Sequence, residues 1–573
     1  MVEVKVRDRS GMGRLGEIEI NRKKIKTPNV VVVVDPKRNV IEPSYFKKIG
    51  VDALMTSAFL LRESKEKNVK KLFRWNKVFF IDSGAYQMFS LGIRNIKERE
   101  ILNIEKECEG DVITALDSFV LPEDNFEVAN KKVEKTILAC KRFSEFVKDI
   151  KRVGMYPVQG GLYKKLRKKS CDGIKDLDGF FGIGGVVPLM VNYQFKELVD
   201  VIMVCKNNLP ANRPIHCFGA GHPMIFSILC YMGVDTFDSA MYAISAREGR
   251  YLTPNGTIKL EEIEEFPCVC NICSKYTPKE VKKMEPKEKE RIIAKHNLNV
   301  CIREIKIIRE AIRKQRLFEL CLRRAKAHPK LYEGFVHLIK KYGKVIEKFD
   351  PIERKYGMFM FEKICGKRPE ILRAKNNIKR VKAKRFFEFP YVGKIPIGLK
   401  YVFPFSQTEF GFNFEIKGEP KAEEQIKQTI EYQFGENASK YFKKLSVKRS
   451  KTRKIRYVFV DGKLAGSVRA SDGLFIPTLF GAELIKKALS FPKNRIIIRK
   501  EAAKFVAQGK SVFCKFVLDL DKEIKPFQEV FVVDEEDNLI ACGKTMLNAK
   551  EIKDYEKHVA VKVRHSFYKG VSL

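Results

Sequence analysis

Six short apolar runs in the first 240 residues end in groups able to do chemistry. Val78–Ile81 runs into Asp82-Ser83-Gly84, Val112–Ala115 into Leu116-Asp117, and Gly154–Val158 into Gln159-Gly160-Gly161. Phe180–Ile183 precedes Gly184-Gly185, Pro214–Phe218 precedes Gly219-Ala220-Gly221-His222, and Val234–Phe237 precedes Asp238-Ser239. Two carboxylates facing each other across a sugar suit cleavage of a glycosidic bond. One attacks the anomeric carbon and the other handles the leaving group's proton. Asp117 and Gln159 offer hydrogen-bonding edges to a planar base. Such readout discriminates strongly, because a wrong base leaves buried polar groups unpaired. Tyr86 offers a face for stacking, or equally a ring for the core. Each Asp alone also reads as a helix cap or turn former. It is the gathering of three Asp and one Gln at four of eight strand ends that favours a site.

A second constellation is Cys268-Val269-Cys270-Asn271-Ile272-Cys273, with His296 further on in a segment that reads as a helix from Pro286. Three thiolates and one imidazole make a closed tetrahedral set, the signature of structural zinc (Zn2+) rather than of a catalytic site with an open position. Three incidental cysteines are the alternative, which the tight spacing disfavours. The other eleven of the fourteen cysteines are scattered singly, as free buried thiols are.

The strand ends converge only if the strands close on themselves. Two further runs, Asn29–Val34 and Ala53–Met55, bring the number to eight. Between the runs lie segments with apolar residues at helical spacing, such as Lys131–Lys151 and Lys196–Cys205. Eight strands with crossover helices in this length fit an α/β fold of the parallel (β/α)8 barrel type, a TIM barrel, better than an open sheet. In such a barrel the strand C-termini share one face, where active sites sit, and glycines there let a flat ligand approach the backbone.

Composition sets the context. A chain of 573 residues with 45% hydrophobic content implies several domains with real cores. Its formal net charge of +40 must repel itself unless it meets a polyanion. Growth at high temperature explains many ion pairs, but not such an excess of one sign. No apolar run approaches bilayer-spanning length, so a membrane is not expected as partner. Met1-Val2-Glu3-Val4-Lys5 has no signal-peptide character, and a cytoplasmic, nucleic-acid-binding protein is expected.

Seven stretches together resemble the tRNA-guanine transglycosylase family, in its archaeal, archaeosine-forming branch. They are Ile81–Gly92, Val158–Gly161, Gly182–Met190, Cys217–Pro223, Asp235–Ala243, Arg247–Thr257 and Phe266–Pro278, and they occur in the family's order. The resemblance extends over essentially the whole chain. It implies that Asp238 is a nucleophile forming a covalent link to ribose, and that Asp82 is the general acid/base. It implies base recognition by Asp117, Gln159 and the Gly184-Gly185 backbone, stacking by Tyr86, and zinc held by Cys268, Cys270, Cys273 and His296. The implied partners are tRNA, whose D-arm guanine at position 15 leaves, and the free base preQ0, which replaces it. A homodimer is implied as well. Aliphatic Val186-Val187 suits a neutral nitrile better than an aminomethyl group. The competing readings are a paralogue that binds tRNA or modifies preQ0 already in place, and a non-catalytic tRNA-binding subunit. The first would lack one of the two catalytic Asp; the second would leave the strand-end residues idle.

The C-terminal half is expected to bind RNA. Residues 279 to about 348 read as basic helix. Glu423–Phe434 reads as a helix, and Ile455–Val460, Asp461-Gly462 and Lys463–Val468 as a hairpin. Expected strands at Asn494–Ile498, Ser511–Phe513, Glu529–Val533, Leu539–Lys544 and Val559–Val563 lie in a region that resembles the small β-barrel PUA domain shared with pseudouridine synthases. The chain is accordingly divided into a catalytic barrel with its zinc site (1–345), two small α+β domains (346–415 and 416–493) and a PUA domain (494–573).

Overall fold

A computed structural model of the chain describes residues 2–93 and 98–567. Three strands not anticipated from the sequence come first: β1 (Val4–Ser10), β2 (Gly13–Ile20) and β3 (Lys23–Thr27), forming one sheet in that order. Then follow β4 (Asn29–Val33), β5 (Ala53–Ser57), β6 (Val78–Asp82), β7 (Val112–Thr114), β8 (Val153–Val158), β9 (Gly179–Ile183), β10 (Ile215–Cys217) and β11 (Thr236–Ser239). These eight form a closed parallel barrel in the order β10-β11-β4-β5-β6-β7-β8-β9. Closure is seen where Ile215 pairs with Phe181 on one side of β10 and His216 with Thr236 on the other. The strands read as near-continuous apolar runs because crossover helices cover the outside and side chains fill the inside. Helices Phe126–Asp149, Lys164–Ile174, Phe195–Asn208 and Pro223–Tyr231 supply that cover.

The eight expected runs match these strands with shifts of up to two residues at their ends. Two of the shifts have chemical consequences. Asp82 is the last residue of β6, and Asp238 lies inside β11, paired with Val31 of β4. Both carboxylates are therefore held by the sheet itself rather than by the loops that follow.

The N-terminal ends of the strands are locked by a buried ion pair. Arg14 of β2 donates to Asp235 through Nε, at 2.9 Å from Oδ1, and through Nη2. It also donates to the carbonyls of Ala211 and Arg213, the latter at 3.0 Å. Asp235 accepts in addition the Ile215 N–H at 2.9 Å. Both side chains are about 1% exposed. The strand β2 is thus tied to the starts of β10 and β11.

The chain forms two compact units, and the second takes over from Ile339. It contains the helix Ala422–Phe434, a four-stranded antiparallel sheet (Leu445–Arg449, Ile455–Val460, Lys463–Val468, Phe475–Pro477) and a six-stranded sheet. The six-stranded sheet includes Val517–Leu520, an antiparallel partner of Arg495–Ile498 that the sequence reading passed over. Its alternation is broken by two exposed residues, Leu518 and Asp519.

Removing Arg14 while keeping Asp235 leaves an uncompensated buried carboxylate. Arg14→Leu should destabilise the barrel by about 3–5 kcal/mol, read as a lower urea midpoint. A midpoint within error of the parent's would show the pair to be dispensable.

Candidate active site and metal cluster

A pocket of about 480 Å³ opens at the C-terminal face of the barrel. Asp82, Tyr86, Asp117, Gln159, Gly184, Gly185 and Asp238 all line it. They arrive from β6 and the helix after it, from the loop after β7, from the ends of β8 and β9, and from β11. Asp82 and Asp238, 156 positions apart in the chain, meet because the barrel closes.

The carboxylates differ in their partners. Asp238 Oδ1 accepts the Gly219 N–H at 2.7 Å and faces His216 Nε2 at 3.2 Å. Asp117 accepts from the Gln159 amide Nε2. Asp82 accepts the backbone N–H of Gly84 at 3.1 Å and is eased further by that of Ser83, with no side-chain donor among the described residues. Burial, reinforced by the negative charges of Asp117 and Asp238, raises the Asp82 carboxyl to about 7. Burial raises Asp117 to about 6 against the lowering hydrogen bond from Gln159. The site therefore holds one acid poised to carry a proton near neutrality beside a carboxylate supplied with donors.

The end of the pocket at Gln159 is shaped for a flat group. A Cβ on Gly184 would sit 2.5 Å from Gln159 Nε2, so only glycine leaves that amide its place. The turn carrying Gln159 is held from behind by Arg167. Its Nη1 donates to the Val158 carbonyl at 2.7 Å and its Nε to the Gly161 carbonyl at 3.0 Å. Tyr86 is 42% exposed, which excludes the core-packing alternative, and stands edge-on to Phe119 at 5.4 Å. Phe89 stacks on the same Phe119. Val187 lines the pocket while Val186 is buried.

Sequence reading looked beyond strand ends and so missed groups inside the strands and behind the loops. His216, Phe119, Phe218 and Arg167 are these groups. His216 had a signal: it stands in β10 beside Phe218 at two-residue spacing, on the inward parity shared by Thr236 and Asp238 in β11.

The cysteine motif is a second, separate centre. The ligand atoms of Cys268, Cys270, Cys273 and His296 lie within 4.8 Å of one another and could hold a metal ion. The donor set fits, because His296 Nδ1 faces Cys273 Sγ at 3.2 Å and Cys270 Sγ at 3.6 Å. Its other nitrogen, Nε2, is 3.0 Å from the Leu252 carbonyl, which fixes the tautomer with Nδ1 free to bind. Tyr251 stacks on the imidazole at 3.5 Å. His296 belongs to the helix Pro286–Arg313, which starts where the sequence suggested.

Comparison with known proteins agrees with this geometry. The family model described as queuine tRNA-ribosyltransferase matches residues 8–330. A PUA domain model matches 494–567, and a model for the patch-forming domain C2 of tRNA-guanine transglycosylase matches 424–492. The tRNA-guanine(15) transglycosylase of Pyrococcus abyssi is 38% identical, over 100% of this chain and 99% of its own. That of Pyrococcus furiosus is 37% identical, over 98% of each chain. That of Korarchaeum cryptofilum is 36% identical, over 96% of this chain and 95% of its own.

The chain belongs to the tRNA-guanine transglycosylase family.

It is thus a pentosyltransferase of the barrel type with a C-terminal PUA domain. Among the described residues no helix is long and apolar enough to cross a membrane.

The raised Asp82 carboxyl has a stability cost with a defined sign. A carboxyl whose folded value exceeds its unfolded value stabilises below the unfolded value, near 3.8, and that contribution is lost as pH rises through about 7. Asp82→Asn removes the ionisation, so the variant should gain more melting temperature over the parent at pH 8 than at pH 5. Equal differences at both pH values would contradict the elevated value.

Proposed function

We propose that the chain exchanges guanine at position 15 of tRNA for the free base preQ0 (7-cyano-7-deazaguanine), a step in archaeosine biosynthesis. The observation that carries the reading is the shared pocket of Asp82 and Asp238, one carboxyl raised towards neutrality and the other given two donors. Asp238 attacks the ribose anomeric carbon as guanine departs. Asp82 protonates the departing base, then takes a proton from the incoming one, which displaces Asp238. Two displacements retain configuration. Asp117, Gln159 and the Gly184-Gly185 backbone read the edge of the base, and Tyr86 stacks on its face. The aliphatic Val187 wall favours a nitrile over an ammonium group.

We take the metal to be zinc, held by Cys268, Cys270, Cys273 and His296. It would supply a closed structural cross-link between the loop 268–273 and the long helix. The target base is buried in folded tRNA, so its exposure requires rearrangement of the D-arm. Phosphate contacts from the basic C-terminal segments would hold the RNA meanwhile. The match over 424–492 to a patch-forming domain supports a homodimer.

The test is release of labelled guanine from tRNA incubated with enzyme and preQ0. Asp238→Ala should abolish release and leave tRNA affinity within about twofold. Release that persists in the variant, or that never occurs in the parent, would end the reading. Metal analysis should find zinc at one per chain, and chelation should lower the melting temperature without releasing the base-binding residues from the barrel. Purified protein free of zinc would remove the metal assignment.

A further inference from the structure

We propose that His216 is a positioning residue that divides the work of the Asp238 carboxylate between its two oxygens. The proposal rests on the reading of Asp238 as nucleophile. His216 is fully buried. Its Nε2 lies 3.2 Å from Asp238 Oδ1 and its Nδ1 lies 3.0 Å from the Thr236 hydroxyl. An ionised carboxylate only accepts, so Nε2 carries the hydrogen, and the hydroxyl is free to donate to Nδ1. Phe218 edge-on at 4.8 Å and Phe80 stacked at 6.2 Å prevent the ring from turning away. The second donor, the Gly219 N–H at 2.7 Å, reaches the same Oδ1. Gly219 can do so because its φ is +67°, and a Cβ there would meet Val187 Cγ2 at 2.3 Å.

Both donors therefore converge on Oδ1, and no hydrogen bond reaches Oδ2 among the described residues. Oδ2 keeps its lone pairs for attack. It forms the bond to the anomeric carbon as the bond to the base nitrogen breaks, that electron pair leaving with the base and taking the Asp82 proton. Oδ1 becomes the ester carbonyl oxygen. When the incoming base attacks, its proton passes to Asp82, the Oδ2 bond breaks, and the returning negative charge spreads onto Oδ1, where the two donors already point. Preorganised donors of this kind act on both halves of the exchange without reorganising in between.

The experiment measures the rate at which a covalent protein–RNA adduct forms in a single turnover, together with kcat and KM. His216→Phe fills the same space between the two phenylalanines and removes the donor. Adduct formation and kcat should fall about 10- to 100-fold, with KM for tRNA within about twofold. His216→Gln, which can place an amide N–H where Nε2 stood, should recover most of the rate. A wild-type rate in the Phe variant, or a Gln variant as slow as Phe, would overturn the proposal. If the Phe variant does not fold, Thr236→Val decides: it keeps the imidazole but frees Nδ1, and should slow adduct formation several-fold, whereas an unchanged rate refutes the anchoring. Asp238→Ala separates the two layers of argument. An adduct that survives in it, or is absent from the parent, means that the nucleophile assignment itself has failed. An adduct lost in Asp238→Ala but unaltered in the His216 variants means that only the present inference has.

Discussion

Three carboxyl groups share one desolvated pocket, and everything else in the site answers to that electrostatic conflict. Like charges withdrawn from water raise one another's cost of ionisation. The protein resolves the conflict by unequal provision. Asp238 receives a backbone N–H and an imidazole, Asp117 an amide, and Asp82 only the backbone N–H groups of Gly84 and Ser83 among the described residues. The group without a side-chain donor among the described residues is the one raised to about 7. The ability to hold a proton is thus a consequence of burial and of two neighbouring like charges that backbone donors alone do not offset, and no special residue type is needed for it.

Unequal provision works only if the groups cannot relax towards or away from one another. The barrel enforces this. Asp82 and Asp238 belong to strands, with neighbours paired on both sides, and His216 is fixed between β9 and β11. The opposite strand ends are locked by Arg14 and Asp235, and Arg167 grips the two carbonyls that flank Gln159 and its neighbouring glycine. Both arginines are buried and each donates to two backbone oxygens. They hold strand ends and a turn in place, whereas a surface ion pair would contribute little to position.

Much of this was written in the sequence, and what was not has a physical reason. The barrel strands could be read because parallel strands covered on both faces must be continuous apolar runs, as in Asn29-Val30-Val31-Val32-Val33. The pocket residues could be read because a polar group following such a run has few places to go. His216 could not, since a histidine within an apolar strand reads as a satisfied core residue until its cross-strand partner is known, and register is a property of the closed sheet. Strands β1 to β3 carry the polar/apolar alternation of a half-buried sheet, as in Lys23–Thr27, but they lie outside the run of continuous apolar strands from which the barrel was read. The four zinc-type ligands were visible as residues, but the Leu252 carbonyl that orients His296 and the Tyr251 ring that covers it were not.

On the proposed reading, the acidic pocket creates a problem that the remainder of the chain must solve. A polyanionic RNA is repelled by three carboxyl groups, and unstacking its target base costs further free energy. Neither cost can be met inside the pocket, whose contacts are few and directed at the base. Charge elsewhere has to meet it. Between Glu436 and Asp461 the second unit carries nine Lys and Arg and no acidic residue, all nine exposed and arranged on and around the hairpin Leu445–Arg449 and Ile455–Val460. Lys444 is the only one of these within 4.0 Å of a carboxylate among the described residues, opposite Asp461. Cations left without acidic partners inside their own molecule are available to phosphates, and phosphate contacts supply affinity while carrying no sequence information. Binding energy gathered by groups other than those of the pocket is what permits a pocket to be built for the reaction and to remain hostile to the charge of its own substrate.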